Sequence, residues 1–232
     1  MQRALLFDVF GTVVDWRGGV IRELQAFGAR HGIEADWPAF ADDWRGLYQP
    51  SMEDVRSGRR PFNILDTLHR ESLDTLLKRE GIATVGEEAI DDLNRAWHRL
   101  DPWPDSVEGL TRLKRNHVIA SLSNGNIALL VDMAKHGGLP WDAVLGAETA
   151  GAYKPDPRAY LRTAEQLGLA PGECMMVAAH NGDLEAAKAV GFKTAFIRRP
   201  GEHGPGQTTD LEPTGAWDFT GDSMIALADA LG

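Results

Sequence analysis

The sequence predicts an α/β protein with a doubly wound parallel sheet and a helical subdomain inserted after the first strand. Three observations predict it. Four short apolar runs, at residues 4–7, 118–122, 175–178 and 194–197, end at small or polar residues and are too short for helices. Continuous apolar runs of this kind fit strands of a parallel sheet covered on both faces. Helical segments separate the later runs, and strand–helix alternation gives right-handed crossovers and a Rossmann-like core. Residues 17–99, by contrast, hold helical stretches and no convincing strand.

Taken in order, the first strand, "ALLF", runs into Asp8. Helices are expected over 18–31, 39–48, 63–80 and 86–99. "DPWPD" at 101–105 has two prolines and reads as a connection. The predicted organisation is therefore a core of residues 1–16 and 100–232, interrupted by a helical segment at 17–99. After the second strand, "NIALLVDMAKHGG" reads as a helix with Asn126 as N-cap and Gly137 and Gly138 as its stop. "CMMVAA" is a buried strand, and "DLEAAKAVG" is an Ala-rich helix opening on Asp183 and ending at Gly191.

Length and composition bound the function. The chain has 232 residues, 43% hydrophobic and 25% charged, with a formal net charge of −10. It is long enough to bury a sizeable core. No basic face suggests nucleic acid as a partner. No run of about 18 apolar residues suggests a membrane partner or span. Cys174 is the single cysteine, so no internal disulfide forms, and its apolar neighbours make it a buried core thiol. The first strand begins almost at the N-terminus, so no secretory leader and a cytoplasmic location are expected.

Ligands of open α/β sheets bind beyond the carboxyl ends of the strands. Asp8 and Thr12 follow the first strand; Ser123, Asn124 and Gly125 follow the second; His180, Asn181 and Asp183 follow the third. "AYKPDP" brings Lys154 toward the same edge. Singly, each is an ordinary turn or surface residue. Jointly, a carboxylate, a hydroxyl, an amide and an ammonium at one sheet edge make a site.

The order of these residues resembles the haloacid dehalogenase superfamily. "FDVFGTVVD" (7–15), "LSNG" (122–125), "YKPDP" (153–157) and "MVAAHNGDLEAAKAVG" (176–191) match its four motifs and span nearly the whole chain. Magnesium phosphatases of that superfamily carry acids where this chain has Phe10 and Ala179. Phe10, the "WR" pair Trp44–Arg45 and Asp183 are instead similar to the (S)-2-haloacid dehalogenases.

That resemblance implies an α/β core with a helical cap, no metal, no cofactor, and a small 2-haloacid anion as the partner. It also implies conversion of (S)-2-haloacids to (R)-2-hydroxyacids and halide. Asp8 would attack C2 and form an ester. Thr12 and Lys154 would orient Asp8 and keep it ionised. Arg45 and Asn124 would receive the halide, and Ser123 would anchor the substrate carboxylate. Phe10, Trp44 and Tyr48 would wall the pocket, whereas Phe62 reads as packing. Asp183 would position the hydrolytic water or act as its base, with Lys154 nearby and Tyr160 behind it. His180 fits either a base or a hydrogen-bonding support, and Asn181 joins it as a further polar candidate. Gly182 stands where relatives carry a bulky aromatic. A homodimer is common in the family. A magnesium-dependent small-molecule phosphatase of the same superfamily is the alternative.

Overall fold

The computed structural model of the chain describes residues 2–82 and 85–232. β1 (Ala4–Phe7) is followed by a helical insertion: α1 (Trp16–His31), α2 (Trp37–Gly46), α3 (Tyr48–Arg56), α4 (Leu65–Arg79), α5 (Glu87–Asn94) and a 3₁₀ turn, Arg95–His98. The core resumes with α6 (Ser106–Leu113), β2 (Val118–Ser121), α7 (Ile127–Gly137) and α8 (Pro157–Gln166). It closes with β3 (Cys174–Ala178), α9 (Asn181–Ala189), β4 (Lys193–Ile197), β5 (Phe219–Gly221) and α10 (Met224–Leu231).

The five strands lie in the order β2-β1-β3-β4-β5, and every pairing is parallel. Phe7 is level with Ser121 on one side and Val177 on the other. This register brings Asp8 and the polar residues after β2 and β3 to one edge. Strand side chains alternate between two cores. Leu5, Phe7, Ile119, Met175, Val177 and Ile197 pack with α6, α7 and α10. Ala4, Leu6, Ala120, Met176, Ala178 and Phe196 pack with α8 and α9. Both faces are covered, so the strands can be apolar throughout.

Several expectations are corrected. The helix expected over 39–48 is α2, which ends at Gly46, and a separate helix absent from the expected set, α3, starts at Tyr48. Pro50 has no N–H to continue an α2 ladder, whereas it sits without cost in the first turn of α3. α7 stops as expected at Gly138, in the left-handed region at φ +66°. Its N-cap Asn126 makes no side-chain capping bond; its amide instead accepts from Asp66 N and donates to Asp66 Oδ2. α9 opens at Asn181 rather than Asp183, so Asp183 lies inside its first turn. The short edge strand β5, half polar and largely solvent-facing, was not foreseen.

The insertion and the core share one apolar body. Phe10, Trp16, Phe40, Trp44 and Trp97 belong to the same cluster as Phe7 and Val177. Trp97 is its hub: Trp16 stacks on it at 6.2 Å, Trp44 meets it edge-on at 5.4 Å and His69 stacks at 4.3 Å.

A buried polar junction ties the Asp8–Thr12 turn to the rest of the sheet edge. Arg199, just past β4, donates from Nε to Thr12 O and from both Nη atoms to Asp105, at 3.0, 2.7 and 3.0 Å. Asp105 in turn accepts from Met224 N at the start of α10. Removing one partner of such a pair strands the other charge. Arg199→Met is expected to lower the unfolding free energy by about 3 kcal/mol, read from urea unfolding; an unchanged midpoint would show the junction to be dispensable.

Candidate active site

Asp8 is the first residue beyond β1, and its N–H still donates to Val177 O at 3.0 Å. Its carboxylate is buried and surrounded by donors. Thr12 Oγ1 donates to Oδ2 at 2.6 Å, and Lys154 Nζ donates to Oδ1 at 2.9 Å. His180 Nδ1 lies 3.2 Å from Oδ2. The Thr12 hydroxyl accepts from Ala179 N at 2.9 Å, which turns its proton toward Asp8. Burial alone would raise the Asp8 pKa; Lys154, His180 and Thr12 outweigh it and hold the group far below the usual carboxylate range.

Lys154 is placed by its own backbone. Its N–H donates to Asn124 Oδ1 at 2.7 Å, and its carbonyl accepts from Arg56 of α3 at 3.0 Å. Its ammonium bridges Asp8 and Asp183. Burial works against the charge, but the two carboxylates raise its pKa. Tyr160 of α8 donates to the other oxygen of Asp183 at 2.7 Å. Burial and the nearby Asp8 push the Asp183 pKa up, against the pull of Lys154.

His180 is held from both sides. Nδ1 faces Asp8, and Nε2 lies 2.9 and 3.0 Å from the two oxygens of Glu202. Burial would lower its pKa; Glu202 and Asp8 raise it well above 6.5, so the ring is an imidazolium with two donors. Glu202 is 1% exposed and also accepts from Trp16 Nε1 at 3.1 Å. Its proximity explains Gly11: the backbone there has φ +84°, and a Cβ would fall 2.1 Å from Glu202 Oε1. Glu202 was not foreseen from sequence. It lies in "RPGEHGPG", a loop whose composition marks a turn and nothing more.

Arg45 projects from the last turn of α2 into an aromatic box. Its guanidinium carbon is 4.0 Å from the centre of the Tyr48 ring, 5.2 Å from Trp16 and 5.9 Å from Phe10. Such contacts favour the cation. Its Nη1 is buried and has no acceptor among the described residues. Behind it, burial and Arg45 pull the His69 pKa down to about 3, which keeps that ring neutral.

These groups line a cavity of about 520 Å³. The structure brings Asp8, Phe10, Arg45, Tyr48, Asn124, Lys154, Tyr160, His180 and Asp183 to it. Thr12 stands behind Asp8. Ser123, expected as the carboxylate anchor, has its Oγ accepting from Gly125 N at 3.1 Å and is not a lining residue. Trp44, expected as a wall, is instead fully buried, donating to His69 O at 3.0 Å. Asn181, expected in the site, does not line the cavity. Its Nδ2 donates to Asp210 and Glu212 O, and its Oδ1 accepts from Thr214 N and Trp217 Nε1. It fastens the 210–217 segment onto α9. Phe62 packs on Tyr153 at 5.3 Å, as expected of a packing residue.

The donor set does not fit the magnesium of a superfamily phosphatase. Mg²⁺ needs hard oxygen ligands in near-octahedral array. The carboxylates that line the cavity are already engaged by cations and N–H donors: one ammonium bridges Asp8 and Asp183, Glu202 faces His180 and Trp16, and Asp210 accepts from Asn181. Phe10 and Ala179 add no side-chain oxygen.

Comparison with known proteins agrees with this arrangement. The model of the haloacid dehalogenase-like hydrolase family matches residues 2–191. (S)-2-haloacid dehalogenase 4A of Burkholderia cepacia is 30% identical over 217 residues, covering 86% of this chain and 84% of that one. The crystal structure of the defluorinating L-2-haloacid dehalogenase Rha0230 superposes with a TM-score of 0.98 at 56% identity, covering 99% of this chain and 95% of that one. That of the L-2-haloacid dehalogenase PA0810 gives 0.97 at 47% identity, covering 100% and 99%. With its sheet order, its Asp8–Lys154–Asp183 cluster and these relatives, the chain belongs to the haloacid dehalogenase-like hydrolases.

Proposed function

We propose that this protein hydrolyses (S)-2-haloacids to (R)-2-hydroxyacids and halide, without a metal, through an ester on Asp8. One observation carries the reading. A guanidinium whose buried Nη1 has no partner among the described residues shares an aromatic-walled cavity with a carboxylate that Lys154, Thr12 and His180 hold ionised. Displacement at carbon needs that pair: a bare nucleophile and a cradle for the expelled anion. The names of the relatives support the substrate class.

In the first step an Asp8 oxygen forms a bond to C2 from behind while the carbon–halogen bond breaks. The halide takes the electron pair and moves toward Arg45 and Asn124. Lys154 and Thr12 hold Asp8 in attack geometry. Esterification removes the Asp8 charge, and with it one of the two anions that keep His180 protonated. His180 sheds its proton to solvent and accepts one from a water that attacks Asp8 Cγ. The acyl–oxygen bond breaks, the departing alkoxide takes its proton from His180 to leave as the hydroxyacid, and the second water proton, released as Asp8 ionises, restores the imidazolium. Asp183, with both oxygens engaged by Tyr160 and Lys154, orients the water and Lys154 rather than serving as base. The defluorinating relative extends the proposal to fluoride.

Halide release from (S)- and (R)-2-chloropropionate and from fluoroacetate, with and without EDTA, tests the reading. Release from the (S) acid and fluoroacetate, unaffected by EDTA, is expected; magnesium-dependent phosphate release from small esters instead would overturn it. Asp8→Asn should abolish turnover, and single turnover in ¹⁸O-water should label Asp8. Arg45→Ala is expected to slow halide release by about 10²–10³-fold. His180→Gln should stall after halide departure, so that the ester is visible by intact mass; an ester-free variant of normal rate would remove His180 from the hydrolytic step.

The charge on His180 also predicts a pH signature in stability. Its folded pKa lies above the unfolded value of about 6.5, so its contribution is fully present below that pH and is lost as pH rises through the folded pKa. The advantage of wild type over His180→Gln is expected to shrink above pH ~6.5, by up to about 1.4 kcal/mol per pH unit. Urea unfolding from pH 6 to 9 measures it; a constant difference would mean a neutral ring.

A further inference from the structure

His180, Glu202 and His203 each offer a ligand atom, and the three atoms lie within 4.8 Å of one another. His180 Nε2 is 2.9 Å from Glu202 Oε2, and His203 Nε2 is 3.5 Å from Glu202 Oε1. Ligands at about 2.0–2.1 Å from a tetrahedral ion stand roughly 3.3 Å apart, so the two separations from Glu202 are within a few tenths of an ångström of that spacing, and the two imidazole ligand atoms lie within 4.8 Å of each other. Two imidazoles and one carboxylate are the donors of zinc and its first-row neighbours, not of magnesium or calcium.

The surroundings preorganise such a set. Glu202 is buried, and Trp16 Nε1 fixes one of its oxygens at 3.1 Å. Outer donors of this kind are what orient metal-binding carboxylates. The His203 ring meets the Trp16 ring edge-on at 5.7 Å. All three ligands border the cavity, which leaves room for water or substrate in a fourth position. His203 stands at the rim and touches none of the reacting groups; its polar contact is with Glu202.

We propose that His180, Glu202 and His203 form a site for one divalent transition-metal ion, zinc fitting best, and that its occupation inhibits the enzyme. The inhibition, unlike the binding, rests on the hydrolytic reading above. A metal on Nε2 leaves Nδ1, facing Asp8, as the ring's N–H. No lone pair then remains to take a proton from water, and the Asp8 ester persists. The metal has no part in the forward reaction.

Calorimetric titration of the EDTA-treated full chain with Zn²⁺ tests the site directly, and Co²⁺ absorption reports its geometry. One equivalent of Zn²⁺ is expected, with a four-coordinate Co²⁺ spectrum and no heat from Mg²⁺. His203→Ala and Glu202→Gln should each weaken binding at least about tenfold. Absence of binding, or binding undiminished in both variants, overturns the site whether or not the chain dehalogenates. In the activity arm, Zn²⁺ should halt wild type after one halide per chain, with the ester trapped, and His203→Ala should need at least about tenfold more Zn²⁺ for the same effect. Stoichiometric binding with full turnover would overturn the inhibition and leave the site standing.

Discussion

Everything at the sheet edge depends on keeping one buried carboxylate ionised. A lone Asp8 in that environment would neutralise, since burial disfavours its charge. Lys154 at 2.9 Å, His180 at 3.2 Å and the Thr12 hydroxyl at 2.6 Å replace the water it lost. Lys154 and Thr12 are buried and His180 is half-buried, so the two cations must be balanced in turn. Asp183 holds the other side of Lys154, and Glu202 the other side of His180. The site is thus a chain of alternating charges. Removing a single member leaves a neighbour unpaired, and such losses cost more than the pair itself is worth.

The second requirement is a cation with nothing to bind. Arg45 is kept available because aromatic rings box it in and no carboxylate among the described residues is within ion-pair distance of it. Tyr48, Trp16 and Phe10 come from three different parts of the chain, and the Trp97 hub holds them in register. Had the insertion and the core possessed separate apolar centres, the guanidinium would have moved with the insertion. One continuous cluster makes its distance from Asp8 a property of packing.

A third feature distinguishes the site chemically. A magnesium phosphatase would surround the nucleophile with oxygen anions and let a metal neutralise them. Here side-chain cations do so, and they need no recruitment. The same substitution places imidazole beside carboxylate at the cavity rim. Hence a site that is unsuited to a hard ion can attract a softer one.

The sequence by itself was enough for the succession of strands and helices along the chain, the four core strands and the insertion as a helical block, but not for the order of the strands in the sheet. Periodicity and strand-end chemistry report directly on local structure, and Asp8, Thr12, Lys154 and Asp183 follow the motifs in order. Arg45 was legible only through resemblance, because a lone arginine on a helix carries no signal of its own. The split of α2 from α3 turned on one missing N–H at Pro50, which the helical period masks. Tertiary structure alone decided which polar residues face the cavity. Asn181 and Trp44 share their neighbours' motifs, yet a one-residue step along a helix rotates a side chain by about 100°, and neither lines the cavity. Glu202 was invisible for a different reason. Its partner His180 is 22 residues away, and only closing the loop after β4 over the Gly11 turn brings the two charges into contact.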